Sequence, residues 1–406
     1  MNRIFISLIP LWILIVILLA GCSEFQRQPS TEKEQDETEV ATSSETNLIE
    51  KQSVAKEESL ETVILSKEQN SIETRVNELI AKMTLEEKIG QLVVVGFPSK
   101  QVDSHIQTMI EKYKVGGVIL YDRNMESPHQ VAQLTRNLQK LSINNKLKIP
   151  LMISVDQEGG QIVRMKHKLA PKPSQQELGE KVAVYKTNLR TGNELKEMGI
   201  TVNYAPVLDL SATDNRSFGM DPKKAERFGS EAIKGLNDAG ITATLKHFPG
   251  HGRSEIDPHF ESSSVDADQL DLENKDIYPF KKNIEEIDHQ QFFVMVTHIK
   301  YPAYDKKNPA SISPVIIKEL LREKLGYKGL VVTDDLEMGA VNKYFTYKDL
   351  GYSAVAAGND VLLVCHTFES QKQVIDGIRE AVETNKLTEE RIDESVRRIL
   401  TYKLGS

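Results

Sequence analysis

Eight short apolar runs, most of them followed by a stretch of helical periodicity, leave this chain few ways to fold. They lie near Leu92–Gly96, Gly117–Leu120, Leu151–Val155, Val202–Tyr204, Thr242–Leu245, Phe293–Thr297, Leu330–Val332 and Val361–Val364. Each is nearly all apolar rather than alternating, the pattern of strands buried on both faces in a parallel sheet. Between them, Val131–Leu141, Lys223–Ala239, Pro314–Leu325 and Ser370–Thr384 read as amphipathic helices. A first helix from Leu85 to about Gln91 has Thr84 and Glu87 placed as a capping box, and a last one covers about Glu389–Leu404. Eight such units predict an α/β fold, a TIM-type (β/α)₈ barrel in one domain. The alternative is an open doubly wound sheet.

Polar residues decide between the two. Asp156 follows the third strand, Asp209 lies beyond the fourth, and Lys246-His247 follow the fifth. His298 follows the sixth, Asp334-Asp335 the seventh and His366 the eighth. A barrel brings all of these strand ends to one mouth, where such folds keep their active sites. An open sheet would spread several of them along an edge.

The densest chemistry lies in Lys246-His247-Phe248-Pro249-Gly250-His251-Gly252, followed by Asp257-Pro258-His259. Its prolines and glycines exclude a helix, so it reads as a functional loop on a rigid scaffold, against the plainer reading of a solvated loop. Asp257 stands close enough to His259 to orient the imidazole and raise its basicity, making His259 a proton donor and acceptor near neutral pH. Asp334 follows its strand after only Thr333 and is the expected nucleophile, with Asp335 in a structural hydrogen-bonding role. The plainer reading of this pair is a helix N-cap beside a dipole-paired acid. His247 and His251 have the four-residue spacing of zinc-binding helices, which with Asp257 would suggest a metal-dependent hydrolase. Pro249 and Gly250 break that helix, and no metal or other cofactor is expected.

Together these motifs resemble the family 3 glycoside hydrolases, in their bacterial β-N-acetylglucosaminidase (β-hexosaminidase) branch. The histidine loop, Val155-Asp156-Gln157-Glu158-Gly159-Gly160 and Thr333-Asp334-Asp335-Leu336-Glu337-Met338 match three of that branch's motifs in order, and the likeness runs from about Met83 to the end. The resemblance implies that Asp334 is the nucleophile, His259 the acid/base and Asp257 its partner. It implies that Asp156, Arg164, Arg216, Lys246 and His247 hold a non-reducing N-acetylglucosamine. It also implies cell-wall fragments bearing that sugar as substrate, with a β-glucosidase the nearest alternative among glycosidases. A neutral histidine repels phosphate less than a carboxylate does, so phosphorolysis is a variant of the same chemistry. A non-catalytic sugar-binding lipoprotein would need the five binding residues but neither Asp334 nor the Asp257–His259 pair. Pro258 departs from the branch, which usually has serine or threonine there, and no second domain is expected after the barrel.

The N-terminal part is different material. Arg3 precedes seventeen uncharged residues, Ile4–Ala20, a secretory signal by pattern and near the lower limit for a spanning helix. Leu19-Ala20-Gly21-Cys22 resembles the lipobox of bacterial lipoproteins, which implies a signal over 1–21, lipidation at Cys22 and anchoring to the outer face of the cell membrane. Residues 23–74 carry thirteen acidic and five basic residues with one aromatic, Phe25, so 22–74 is expected to be a disordered tether. The tether's −8 and the signal's +1 leave −1 of the overall −8 for the barrel over 75–406. Nothing in that balance calls for nucleic acid, and a monomer is expected. With Cys22 lipidated, Cys365 has no cysteine to pair with and reads as a small buried residue.

Overall fold

The computed structural model describes residues 69–254 and 261–405. Eight parallel strands form one sheet: β1 (Val93–Val95), β2 (Gly117–Leu120), β3 (Met152–Val155), β4 (Val202–Asn203), β5 (Ala243–Phe248), β6 (Phe292–Val296), β7 (Val331–Asp335) and β8 (Val361–Val364). Their order is β4-β3-β2-β1-β8-β7-β6-β5, so only β4 and β5 lack a full ladder. Parallel bridges Val202–Thr242 and Val207–Lys246 join these two and nearly close the ring. The expected (β/α)₈ barrel is the observed one, and the open sheet is excluded.

Every strand residue but Asp334 is buried, as near-continuous apolar runs require when helices cover one face and the barrel interior the other. The capping box forms as expected: Glu87 N–H donates to Thr84 Oγ1 at 3.2 Å and Thr84 N–H to Glu87 Oε2 at 3.0 Å. The helix expected over Pro314–Leu325 is present over Val315–Lys324 but wound as a π-helix, with Leu325 N–H reaching back to Leu320 O. A helix covers 69–82 and buries Val76 and Ile80 against the core. The boundary at 74 drawn from composition therefore falls inside a helix, because two apolar residues one turn apart suffice to dock an otherwise charged segment. The remaining expectations for the signal, Cys22 and the tether lie outside the described residues.

Two strands run further than their apolar runs. β5 continues through Lys246 and His247, and β7 through Asp334 and Asp335. Both carry a register shift there, between Leu245 and Phe248 and between Val332 and Asp335. Such irregularities re-aim side chains next to active sites.

Candidate active site

The C-terminal strand ends build a chain of charges across the barrel mouth. Asn203, at the end of β4, accepts from Gln157 N–H at 2.9 Å and donates to Gln157 O at 3.0 Å, which fixes the backbone between Asp156 and Glu158. The next residue must be glycine: Gly159 has φ +104°, and a Cβ there would lie 2.2 Å from Pro173 O. Lys246 Nζ then donates to Asp156 Oδ1 at 2.8 Å and pairs with Glu158 Oε1 at 2.7 Å. Arg216 grips Glu158 with two parallel bonds, Nε to Oε2 at 2.7 Å and Nη2 to Oε1 at 2.9 Å. Arg164 closes the row, 3.5 Å from Asp156 Oδ2 and 3.5 Å from Asp122 Oδ2, over the Tyr121 ring.

Burial alone would push the Glu158 carboxyl up, but Lys246 and Arg216 outweigh it and hold its pKa at about 2. Lys246 is likewise buried, and Asp156 and Glu158 raise its pKa despite the desolvation. Glu158 is thus a fixed, buried anion that keeps two cations charged.

A second knot sits beside the first. Asp209 accepts from His247 N–H at 3.0 Å and from His251 N–H at 2.7 Å, and its Oδ2 lies 2.6 Å from His247 Nδ1. These partners hold Asp209 well below the usual carboxylate range despite its burial. Because a carboxylate oxygen accepts, His247 Nδ1 carries the proton, and Nε2 is left outside that bond. His247 thus belongs to an Asp–His pair, and among the described residues no three His, Cys, Asp or Glu side chains converge to hold a metal.

Asp334 is half-buried at the end of β7, with Oδ1 accepting from Asp335 N–H at 2.9 Å. Burial opposes its charge, yet His247, His298, the Asp335 amide and Lys246 together hold its pKa below the ordinary value. Asp335 takes the structural role expected of it. Its Oδ1 accepts from the N–H groups of Cys365 and Glu337, both at 3.1 Å, and Oδ2 lies 3.1 Å from His366 Nε2. Fully buried His298 supports the same backbone: Nε2 donates to Asp335 O at 2.9 Å, and Nδ1 faces the Ser311 hydroxyl at 2.7 Å. Burial lowers the His298 pKa, which favours the form in which Nε2 donates and Nδ1 accepts from Ser311.

Asp156, Arg164, Arg216, Lys246, His247 and Asp334 therefore share one mouth. Asp257, Pro258 and His259 lie outside the described residues, and so does Cys22. The chain leading to them is firmly held: Arg253 pairs with Asp271 at 2.5 Å and Asp276 at 2.7 Å, and Tyr301 donates to Gly250 O at 2.7 Å. Just beyond them, Glu261 pairs with Lys343 at 3.2 Å and bonds the Tyr344 hydroxyl. Sequence reasoning gave Glu158 no role, and it noted Asp209 and His298 only as strand-end residues. The usable signal for Asp209 and His298 was position beyond a strand end; Glu158 had its place in the Val155–Gly160 motif, two residues after Asp156.

With this geometry in hand, the chain can be set beside known proteins. The sequence profile described as "Glycosyl hydrolase family 3 N terminal domain" matches residues 84–402. A beta-hexosaminidase A of Pseudoalteromonas piscicida is 31% identical over 328 residues, covering 73% of this chain and 54% of that protein. A beta-hexosaminidase of Nitrosomonas eutropha is 33% identical over 299 residues, covering 70% and 83%. A solved family 3 beta-N-acetylglucosaminidase from Paenibacillus sp. superposes with a TM-score of 0.76 at 36% identity, covering 80% of this chain and 64% of that one. The chain thus spans about half of the first relative and most of the second. A barrel whose strand ends carry this row of charges, matched by the family profile over nearly all of its length, belongs to glycoside hydrolase family 3.

Proposed function

We propose that this protein is a retaining β-N-acetylglucosaminidase that removes terminal non-reducing β-N-acetylglucosamine from peptidoglycan-derived muropeptides. The observation that carries the reading is Asp334: a carboxylate held ionised at the end of β7, in the mouth lined by Lys246, Arg216, Arg164, Asp156 and His247. Such a row of fixed charges suits sugar hydroxyls, which both donate and accept. The beta-hexosaminidase and beta-N-acetylglucosaminidase relatives favour the acetylated sugar over glucose.

In this mechanism Asp334 attacks the anomeric carbon while His259, oriented by Asp257, protonates the leaving glycosidic oxygen. A water then attacks the glycosyl–Asp334 ester, gives its proton to His259 and releases N-acetylglucosamine with retained configuration. The test is proton NMR of the first product formed. β-N-Acetylglucosamine appearing before mutarotation is expected, and the α-anomer would refute the mechanism. A rise in sugar 1-phosphate when inorganic phosphate is added would make the enzyme a phosphorylase instead.

Export and lipid anchoring outside the cytoplasm belong to the same reading, on the strength of Ile4–Ala20 and Cys22. Labelled fatty acid should enter the protein and fail to enter Cys22→Ser; equal labelling of both would overturn it. Among the described residues no helix is long and apolar enough to cross a membrane.

A further inference from the structure

His366 is a mouth residue to which the proposed mechanism gives no task. It follows β8 after only Cys365, its side chain is 46% exposed, and Nε2 lies 3.1 Å from Asp335 Oδ2. The carboxylate oxygen accepts, so Nε2 carries a proton and the ring is fixed in orientation. Nδ1 has no partner among the described residues. An imidazole held on one edge, open on the other and half-exposed is built to meet something from solvent.

Its neighbours say where that is. The His366 ring lies 5.5 Å from the Tyr121 ring, which carries the Arg164 guanidinium at 4.9 Å and Arg123 at 4.4 Å. Arg164 reaches Asp156, and Asp156 reaches Lys246. His366 thus extends the row that lines the proposed sugar site, meeting the same Tyr121 ring as Arg164. Behind it, Asp335 is the sequence neighbour of Asp334 and ties β7 to β8 through the Cys365 amide.

We infer that His366 is a further substrate-binding residue, hydrogen-bonding through Nδ1 to a hydroxyl of the sugar whose anomeric carbon faces Asp334. The inference rests on the glycosidase reading and deepens it. A hydroxyl suits the site better than an anion, because Asp335, Glu337, Asp156 and Asp122 balance Arg123, Arg164 and the imidazole. The hydrogen bond that His366 donates to Asp335 raises its pKa, with Glu337 adding to this against partial burial and Arg123. The ring therefore keeps Nδ1–H further into the neutral range, and once it loses that proton a hydroxyl can donate to Nδ1 instead. The contact survives titration, so His366 sets affinity and selectivity rather than the pH profile.

The test compares kcat/KM of the full-length protein, H366A and H366Q on an aryl β-N-acetylglucosaminide and on its 3-, 4- and 6-deoxy analogues. Turnover of the parent sugar by the wild type tests the glycosidase reading; the deoxy series tests this inference. One deoxy analogue should cost the wild type about tenfold or more and H366A less than about twofold, while the other two penalties persist. H366Q, which keeps a donor, should regain part of that discrimination. A purely structural role would slow H366A on all four sugars alike, and unchanged penalties for all three analogues would overturn the inference. Should H366A be inactive, calorimetric binding of N-acetylglucosamine and its deoxy forms gives the same comparison.

Discussion

At the scale of single residues, the site depends on a carboxylate that need not touch substrate. Glu158 is bonded to Arg216 twice and to Lys246 once, with almost no solvent contact. Removing its charge leaves Arg216 without the carboxylate it grips and Lys246 with Asp156 alone, and breaking a buried ion pair from one side costs about 3–5 kcal/mol. Glu158→Gln should therefore lower the denaturation midpoint markedly and reduce kcat/KM at least tenfold; wild-type stability in the variant would contradict this. The pH sign follows from the lowered pKa. The folded value of about 2 lies below the unfolded one, so Glu158 contributes its full stability above about pH 4–5. That contribution is lost as pH falls through about 2, and acid unfolding of Glu158→Gln should be less steep than that of the wild type. The pairing was not legible in the sequence: Glu158 sits in the motif around Asp156, but its partner is unknown until the fold brings Arg216, 58 residues away, against it.

At the scale of elements, the sequence located all eight strands, because parallel strands buried on both faces must be apolar throughout. It ended β5 at Leu245 and β7 at Val332, because Lys246, His247 and Asp334 interrupt the apolar run. In the structure the strands continue, since each of those polar side chains meets a partner inside the mouth. Lys246, His247 and the proposed nucleophile Asp334 thus ride on sheet backbone rather than on loops, which suits residues that must hold position. The segment after β5 is equally tight. A Cβ on Gly252 would lie 1.9 Å from Leu210 O, close to the Asp209 knot that orients His247. Gly252→Ala should cost activity well beyond its loss of stability, at least tenfold in kcat/KM for a few degrees in Tm. Activity equal to wild type would show that the loop can shift without moving His247.

At the scale of the whole molecule, the fold class was legible because eight apolar runs and six polar strand ends agree only in a closed ring. What fastens the barrel floor was not. Asp360, at the start of β8, is fully buried and meets Arg322 at 2.5 Å and Arg398 at 2.9 Å. Lys403, on the last helix (Glu389–Gly405), donates to Gln91 Oε1 at 2.8 Å and Gly116 O at 2.7 Å, and among the described residues it pairs with no carboxylate. Burial pushes its pKa down to about 7, below the unfolded value of about 10.4. The unfolded chain then binds more protons between those values, so stability rises with pH across that window. Tm of the wild type relative to Lys403→Met should climb from pH 7 to pH 10, and parallel profiles would contradict the buried-cation account. The central claim is tested most directly by aryl alcohol release from a β-N-acetylglucosaminide and a β-glucoside, with the Asp334→Ala variant alongside. The account expects a clear preference for the acetylated sugar and a loss of about a thousandfold or more in Asp334→Ala. No turnover of either sugar by the folded wild type, or an active Asp334→Ala, would contradict it.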